Sequence, residues 1–163
     1  MVEHLWAGWR MAYVAAGVEE REGSTLFEAI LDSDLPDEET FIVWRGDECF
    51  ALMNLHPYTS GHVMVLPKRG VAELAELTDS ESAELWEGVR AAVAAVTAAF
   101  APHGVNVGAN LGRGAGAGIP DHLHIHVVPR WDGDTNFMTA IANTRVLPEA
   151  MIDSWRRIVD AWA

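Results

Sequence analysis

Cysteine is nearly missing from this sequence: Cys49 is the only one among 163 residues. One thiol cannot close an intramolecular disulfide or build a multi-cysteine zinc site, and nothing marks the chain for oxidative export. Positive charge is scarce as well. Eleven Lys and Arg, with Lys68 the single lysine, face 24 Asp and Glu, for a formal charge of −13. Non-specific nucleic-acid binding rests on neutralising phosphates with Lys and Arg, so no nucleic-acid partner is expected. No apolar run approaches the ~20 residues needed to cross a bilayer. The longest, residues 91–101, is short and rich in alanine, so no membrane partner is expected either. The opening Met1-Val2-Glu3-His4-Leu5-Trp6 lacks the basic start and apolar stretch of a signal peptide, which makes a cytoplasmic location the expectation. Repeats, low-complexity tracts and Ser/Pro linkers are missing too. With 50% hydrophobic and 21% charged residues, the composition fits one folded domain over residues 1–163.

Three regions are expected within it: an N-terminal arm (1–38), a core (39–137) and a C-terminal helix (148–162). The arm carries an aromatic stretch, residues 5–13, which suits either the protein's own core or a dimer interface. An acidic turn (19–23) and a short helical pattern (25–31) follow. Residues 40–44 and 48–54 read as two strands joined by an Arg45-Gly46-Asp47 turn. A third strand is expected over 62–67. Thr78-Asp79-Ser80-Glu81 is a capping box, after which Leu85, Val89, Val93, Val96 and Phe100 recur at helical spacing until Pro102 and Gly104. Two more strands, 105–110 and 122–128, flank a glycine-rich loop. The last helix carries Ile152, Trp155, Ile158, Val159 and Trp162 on a rough stripe. The fold class is therefore α+β, an antiparallel sheet packed with one long helix and flanking shorter ones.

Three of the seven histidines alternate in His122-Leu123-His124-Ile125-His126. In an extended chain their rings share one face at intervals of ~6.6 Å, and Leu123, Ile125 and Val127 face the core. A merely solvated strand face is one reading. A metal site is another, with His62 or Asp121 completing the ligand set. The third is nucleophilic chemistry at phosphorus. Just before these histidines, Asn110-Leu111-Gly112-Arg113-Gly114-Ala115-Gly116-Ala117-Gly118 forms a loop whose glycines let backbone N–H groups approach an anion.

The heptad His122-Leu123-His124-Ile125-His126-Val127-Val128 resembles the defining motif of the histidine triad (HIT) superfamily, His-φ-His-φ-His-φ-φ with φ apolar. Residues 54–67 resemble the family's preceding hairpin and residues 104–110 its third landmark, so the likeness spans about residues 40–137. The flanks, 5–13 and 129–137, are similar to a bacterial branch described as diadenosine tetraphosphate phosphorylase-like or ATP adenylyltransferase-like. The resemblance implies a nucleotide substrate and a homodimer. It implies that His124 attacks an α-phosphate to form a nucleotidyl-histidine, while His122, His126 and His62 orient the ring and hold phosphoryl oxygens. By the same likeness Asn54 meets the ribose, Asn110 and the loop glycines Gly116 and Gly118 meet phosphate, and Phe50 and Leu52 line the base pocket.

Two departures from the family pattern stand out. Thr25-Leu26-Phe27-Glu28 occupies the place of a Cys-x-x-Cys zinc pair common in bacterial members, so no metal and no cofactor are expected. Gly118 and Ile119 stand where many members place a Ser, Thr or Gln to assist the leaving group. His56 and His103, outside the motif, are expected at the surface.

Overall fold

The computed structural model describes residues 24–134 and 147–162. The aromatic stretch of the arm, residues 5–13, lies outside them. Helix α1 (Leu26–Leu31) starts at a complete capping box: the Thr25 side chain accepts from the Glu28 N–H and Glu28 reaches back to the Thr25 N–H. After Pro36, one turn of helix α2 (Asp37–Thr40) ends on Phe41 in the left-handed region (φ 58°). Strands β1 (Ile42–Arg45), β2 (Cys49–Met53) and β3 (Val63–Pro67) form the expected meander. Helix α3 spans Asp79–Phe100 behind its Thr78–Glu81 capping box, and β4 (Gly104–Gly108), β5 (Ile125–Arg130) and α4 (Met151–Ala161) complete the order. The five strands form one antiparallel sheet in the order β1-β2-β3-β5-β4.

Alternation along the strands sorts side chains to two covered faces. Ala51, Met53, Val63, Val65, Ile125 and Val127 pack with α3 residues Leu85, Val89, Ala92 and Val96 in the larger core. Helix α3 lies close: a Cβ on Gly88 would sit 2.9 Å from both Trp44 and Val65 side-chain atoms, so only glycine fits there. Helix α4 docks beside it, with Trp162 stacked on Trp44 and the Trp155 Nε1–H donating to the Ile42 carbonyl. On the opposite face, Phe50, Leu52, Met64 and Leu66 meet Phe27 and Ile30 of α1 in a second core. That face also carries the histidines, because His62 and His126 share the parity of Met64.

Several boundaries differ from the sequence expectation. The ladder of β5 begins at Ile125, not residue 122, because the Leu123 N–H bonds to the Val71 carbonyl instead of a neighbouring strand. Strand β4 stops at Gly108, and α4 begins at Met151, after Ala150. Val159, placed on the apolar stripe, is 36% exposed, whereas Ile158 is fully buried.

The β1–β2 turn is held by a side chain 35 to 37 residues away: the Glu84 carboxylate accepts from the backbone N–H groups of Asp47, Glu48 and Cys49. Removing it strips three donors of a charged partner. Glu84→Ala is expected to cost about 2 kcal/mol in urea unfolding, and Glu84→Gln less, since one amide oxygen remains to accept.

Candidate active site

The site begins where β3 and β5 lie side by side. His126 is directly opposite Met64, and His62 precedes β3 by one residue. The Tyr58 backbone N–H donates to His62 Nδ1 over 3.1 Å, so that nitrogen accepts. His62 Nε2 therefore carries the proton and donates it to His126 Nδ1, 2.9 Å away. In its neutral form His126 then bears its own proton on Nε2. Burial, with a smaller contribution from the charge of His124, pushes His126 down to about 4, which keeps this neutral form at ordinary pH. The His126 Nε2 atom is buried and has no hydrogen-bond partner among the described residues. It is a donor in place with nothing yet to bond.

The other two histidines are fixed by the chain just before β5. His122 Nε2 lies 2.8 Å from the Pro67 carbonyl, which can only accept. Its Nδ1 lies 2.6 Å from the Thr25 hydroxyl. Burial lowers the affinity of His122 for a second proton, chiefly by desolvation. His124 Nδ1 donates to the His122 carbonyl over 2.7 Å, so the neutral His124 ring has its lone pair on Nε2. The His124 and His126 rings sit 4.9 Å apart and nearly perpendicular, and Phe27 of α1 touches both His122 and His124. A ring nitrogen with an available lone pair and a ring N–H donor thus lie on neighbouring, largely buried imidazoles.

A family model described as the HIT domain matches residues 36–133. This chain belongs to the HIT family. It is 43% identical over 166 residues to the AP-4-A phosphorylase of Mycobacterium tuberculosis, covering 99% of this chain and 85% of that protein. It is 38% identical over 93 residues to the asymmetrical bis(5'-nucleosyl)-tetraphosphatase of Schizosaccharomyces pombe, with 57% and 50% covered. Among solved structures, a zinc-bound histidine triad protein of Mycobacterium smegmatis superposes with a TM-score of 0.69 at 26% identity, over 85% of this chain and 93% of that one.

The HIT heptad places Leu123, Ile125 and Val127 in the larger core, as its alternation predicts. The ring nitrogens of His62 and His122 are committed to hydrogen bonds, and no group of three His, Cys, Asp or Glu is placed to hold a metal among the described residues. At the position of the zinc pair, the Thr25 hydroxyl and the Glu28 carboxylate are spent on a helix cap, on His122 and on the Gly70 N–H. That donor set does not fit a tetrahedral zinc ion.

The remaining site residues are distributed around this centre. The Asn54 Oδ1 accepts from the His56 N–H, closing a turn, and its Nδ2 lies 3.5 Å from His62 Nδ1. Phe50 and Leu52 are fully buried in the second core, below Phe27 and Ile30. Asn110, Gly116 and Gly118 lie in the segment between β4 and β5. Gly116, at φ +94°, closes a short 3-10 turn over Arg113–Ala115 and needs the freedom of glycine to do so. Gly118 faces open space. His56 and His103 are exposed, and His103 pairs with Asp132 at 3.2 Å. Sequence reasoning missed Thr25, Phe27 and Tyr58 as neighbours of the histidines. The Thr-x-x-Glu pattern at residues 25–28 signals a helix start, yet nothing in it signals contact with a histidine 97 residues on.

Proposed function

We propose that this HIT protein is a cytoplasmic, homodimeric, single-domain enzyme that cleaves diadenosine polyphosphates by phosphorolysis, needing no metal or cofactor. The observation that carries the reading is the pairing of two tautomers: a lone pair on His124 Nε2 beside an unpartnered proton on buried His126 Nε2. The first attacks phosphorus and the second binds a phosphoryl oxygen.

His124 Nε2 forms an N–P bond to one α-phosphate of diadenosine tetraphosphate, and the P–O bond to the rest breaks, releasing ATP. The adenylyl group stays on the ring as a cationic phosphoramidate. Inorganic phosphate then forms a P–O bond to that phosphorus while the N–P bond breaks, giving ADP and restoring the neutral imidazole. Asn54 meets the ribose hydroxyls, and Asn110 with the backbone of Gly116 and Gly118 receives the phosphate chain. Phe50 and Leu52, fully buried, support the base side of the site from beneath Phe27 and Ile30. The AP-4-A phosphorylase of Mycobacterium tuberculosis, similar over 99% of this chain, supports phosphate as the acceptor.

The test is chromatography of the products from diadenosine tetraphosphate with and without phosphate. Phosphorolysis gives ADP with ATP only when phosphate is present. AMP with ATP at a rate indifferent to phosphate makes the protein a hydrolase. No turnover leaves a nucleotide-binding sensor. A single peak of twice the monomer mass in light scattering is expected in the same buffer.

A further inference from the structure

We infer that Thr25 is a positioning residue for His124, acting through His122. This inference rests on the nucleophilic role proposed for His124 and concerns the side chain that holds it ready. The Thr25 hydroxyl lies at a junction of two hydrogen bonds: it accepts from the Glu28 N–H at 3.3 Å and lies 2.6 Å from His122 Nδ1. His122 Nε2 donates to the Pro67 carbonyl, so neutral His122 must accept at Nδ1. The one proton of the Thr25 hydroxyl therefore points at His122. With both nitrogens bound, the His122 ring can neither flip nor exchange tautomers without breaking a buried hydrogen bond.

The consequence passes to the next histidine through the backbone. The carbonyl of His122 is the acceptor for His124 Nδ1, at 2.7 Å. This bond decides which nitrogen of His124 carries the lone pair. A His122 residue pinned at its ring by α1 and by the end of β3 presents its carbonyl in one place. Glu28 strengthens the tie from the other side, since its carboxylate accepts from the N–H groups of both Thr25 and Gly70. Helix α1, the exit of β3 and the histidine segment are thus fastened to one another at one hydroxyl. Thr25 need not touch the nucleotide to affect the reaction.

Three substitutions separate this role from helix capping. Thr25→Ser keeps both hydrogen bonds. Thr25→Gly leaves the helix start nearly as stable but has no hydroxyl to give His122. Thr25→Val removes both functions at nearly constant volume. With diadenosine tetraphosphate and phosphate, Thr25→Ser should hold kcat within about twofold, whereas Thr25→Gly and Thr25→Val should lose about tenfold or more in kcat with KM changed far less. The thermal midpoint of Thr25→Gly should stay near wild type. Wild-type kcat in Thr25→Gly overturns the inference, as does an equal loss in Thr25→Ser.

A readout independent of turnover keeps the inference testable whatever the substrate. Nitrogen-15 spectra of the imidazoles should place the proton of His122 on Nε2 and that of His124 on Nδ1 in the wild type and in Thr25→Ser. In Thr25→Val the proton should stay on His122 Nε2, held by the Pro67 carbonyl, while the Nδ1 signal moves towards that of a lone pair without a hydrogen bond. A wild-type His122 protonated on Nδ1 sinks the inference even if the enzyme proves active. The expected tautomers in a protein that fails to turn over the nucleotide leave it standing while removing the phosphorylase.

Discussion

His124→Ala should turn over diadenosine tetraphosphate about a thousandfold more slowly than the wild type, or not at all, while AMP binds within a fewfold of its wild-type affinity. The split follows from where the ring sits. His124 supplies the only histidine nitrogen of the triad whose lone pair is left over after the hydrogen bonds are assigned: Nδ1 is spent on the His122 carbonyl and Nε2 is not. Deleting the ring should delete the proposed covalent step, for which no neighbour substitutes, since His126 presents a proton and His122 has both nitrogens bound. The proposed base and ribose contacts lie elsewhere, so the nucleotide should still bind. Single-turnover assays with calorimetry of AMP binding make the measurement. More than a few per cent of residual rate would exclude the covalent route, and a parallel loss of AMP binding would show that the substitution had collapsed the pocket.

Acid should weaken the fold well before the carboxylates as a class protonate. His126 is held neutral down to about 4, against an ordinary value of 6.5, mainly by burial. The unfolded chain binds a proton at this residue below 6.5 and the native state does not, so stability falls as pH drops from about 6.5 to about 4, in total by about 3 kcal/mol. His122, lowered by the same desolvation, adds in the same direction. Further down, the Arg69 guanidinium and the Thr78 N–H hold Glu81 at about 2 instead of 4.5. That carboxylate stabilises the native state above 4.5, and its contribution is lost as pH falls towards 2. Urea midpoints should therefore decline steadily from about pH 7 to pH 4, and His126→Asn should flatten the upper part of the slope. A midpoint constant between pH 7 and pH 4.5 would count against a buried neutral pair.

The elements that rest on local signals were readable from the sequence. The Thr78–Glu81 capping box and the spacing of Leu85, Val89 and Val96 locate α3 to the residue at its start, and Gly46-Asp47 marks the first hairpin. The alternation at residues 122–128 correctly sends Leu123, Ile125 and Val127 inward, because a period of two persists even where no ladder forms. It does not reveal that His122 and His124 precede the ladder, since the choice of Val71 as partner for Leu123 is made by tertiary packing. The same limit hides the tautomers. The Tyr58 N–H and the His122 carbonyl lie four and two residues from the histidines they fix, but no residue type marks such backbone contacts, and the Pro67 carbonyl and the Thr25 hydroxyl meet His122 only through folding. Helix α2 escaped notice because four residues after Pro36 carry too little periodicity to register.

The distances along the chain between bonded partners bear on how the protein comes to be active. The hairpins and α3 are built from near neighbours, whereas His62 reaches His126 across 64 residues and Thr25 reaches His122 across 97. Loops that long close late, after local structure has formed. A nascent or refolding chain should thus form α3 and its hairpins before β5 joins β3 and the histidines meet. Partly folded chains, even compact ones, should therefore lack the assembled histidine cluster. For this protein, competence marks the last closure of the chain, not its collapse.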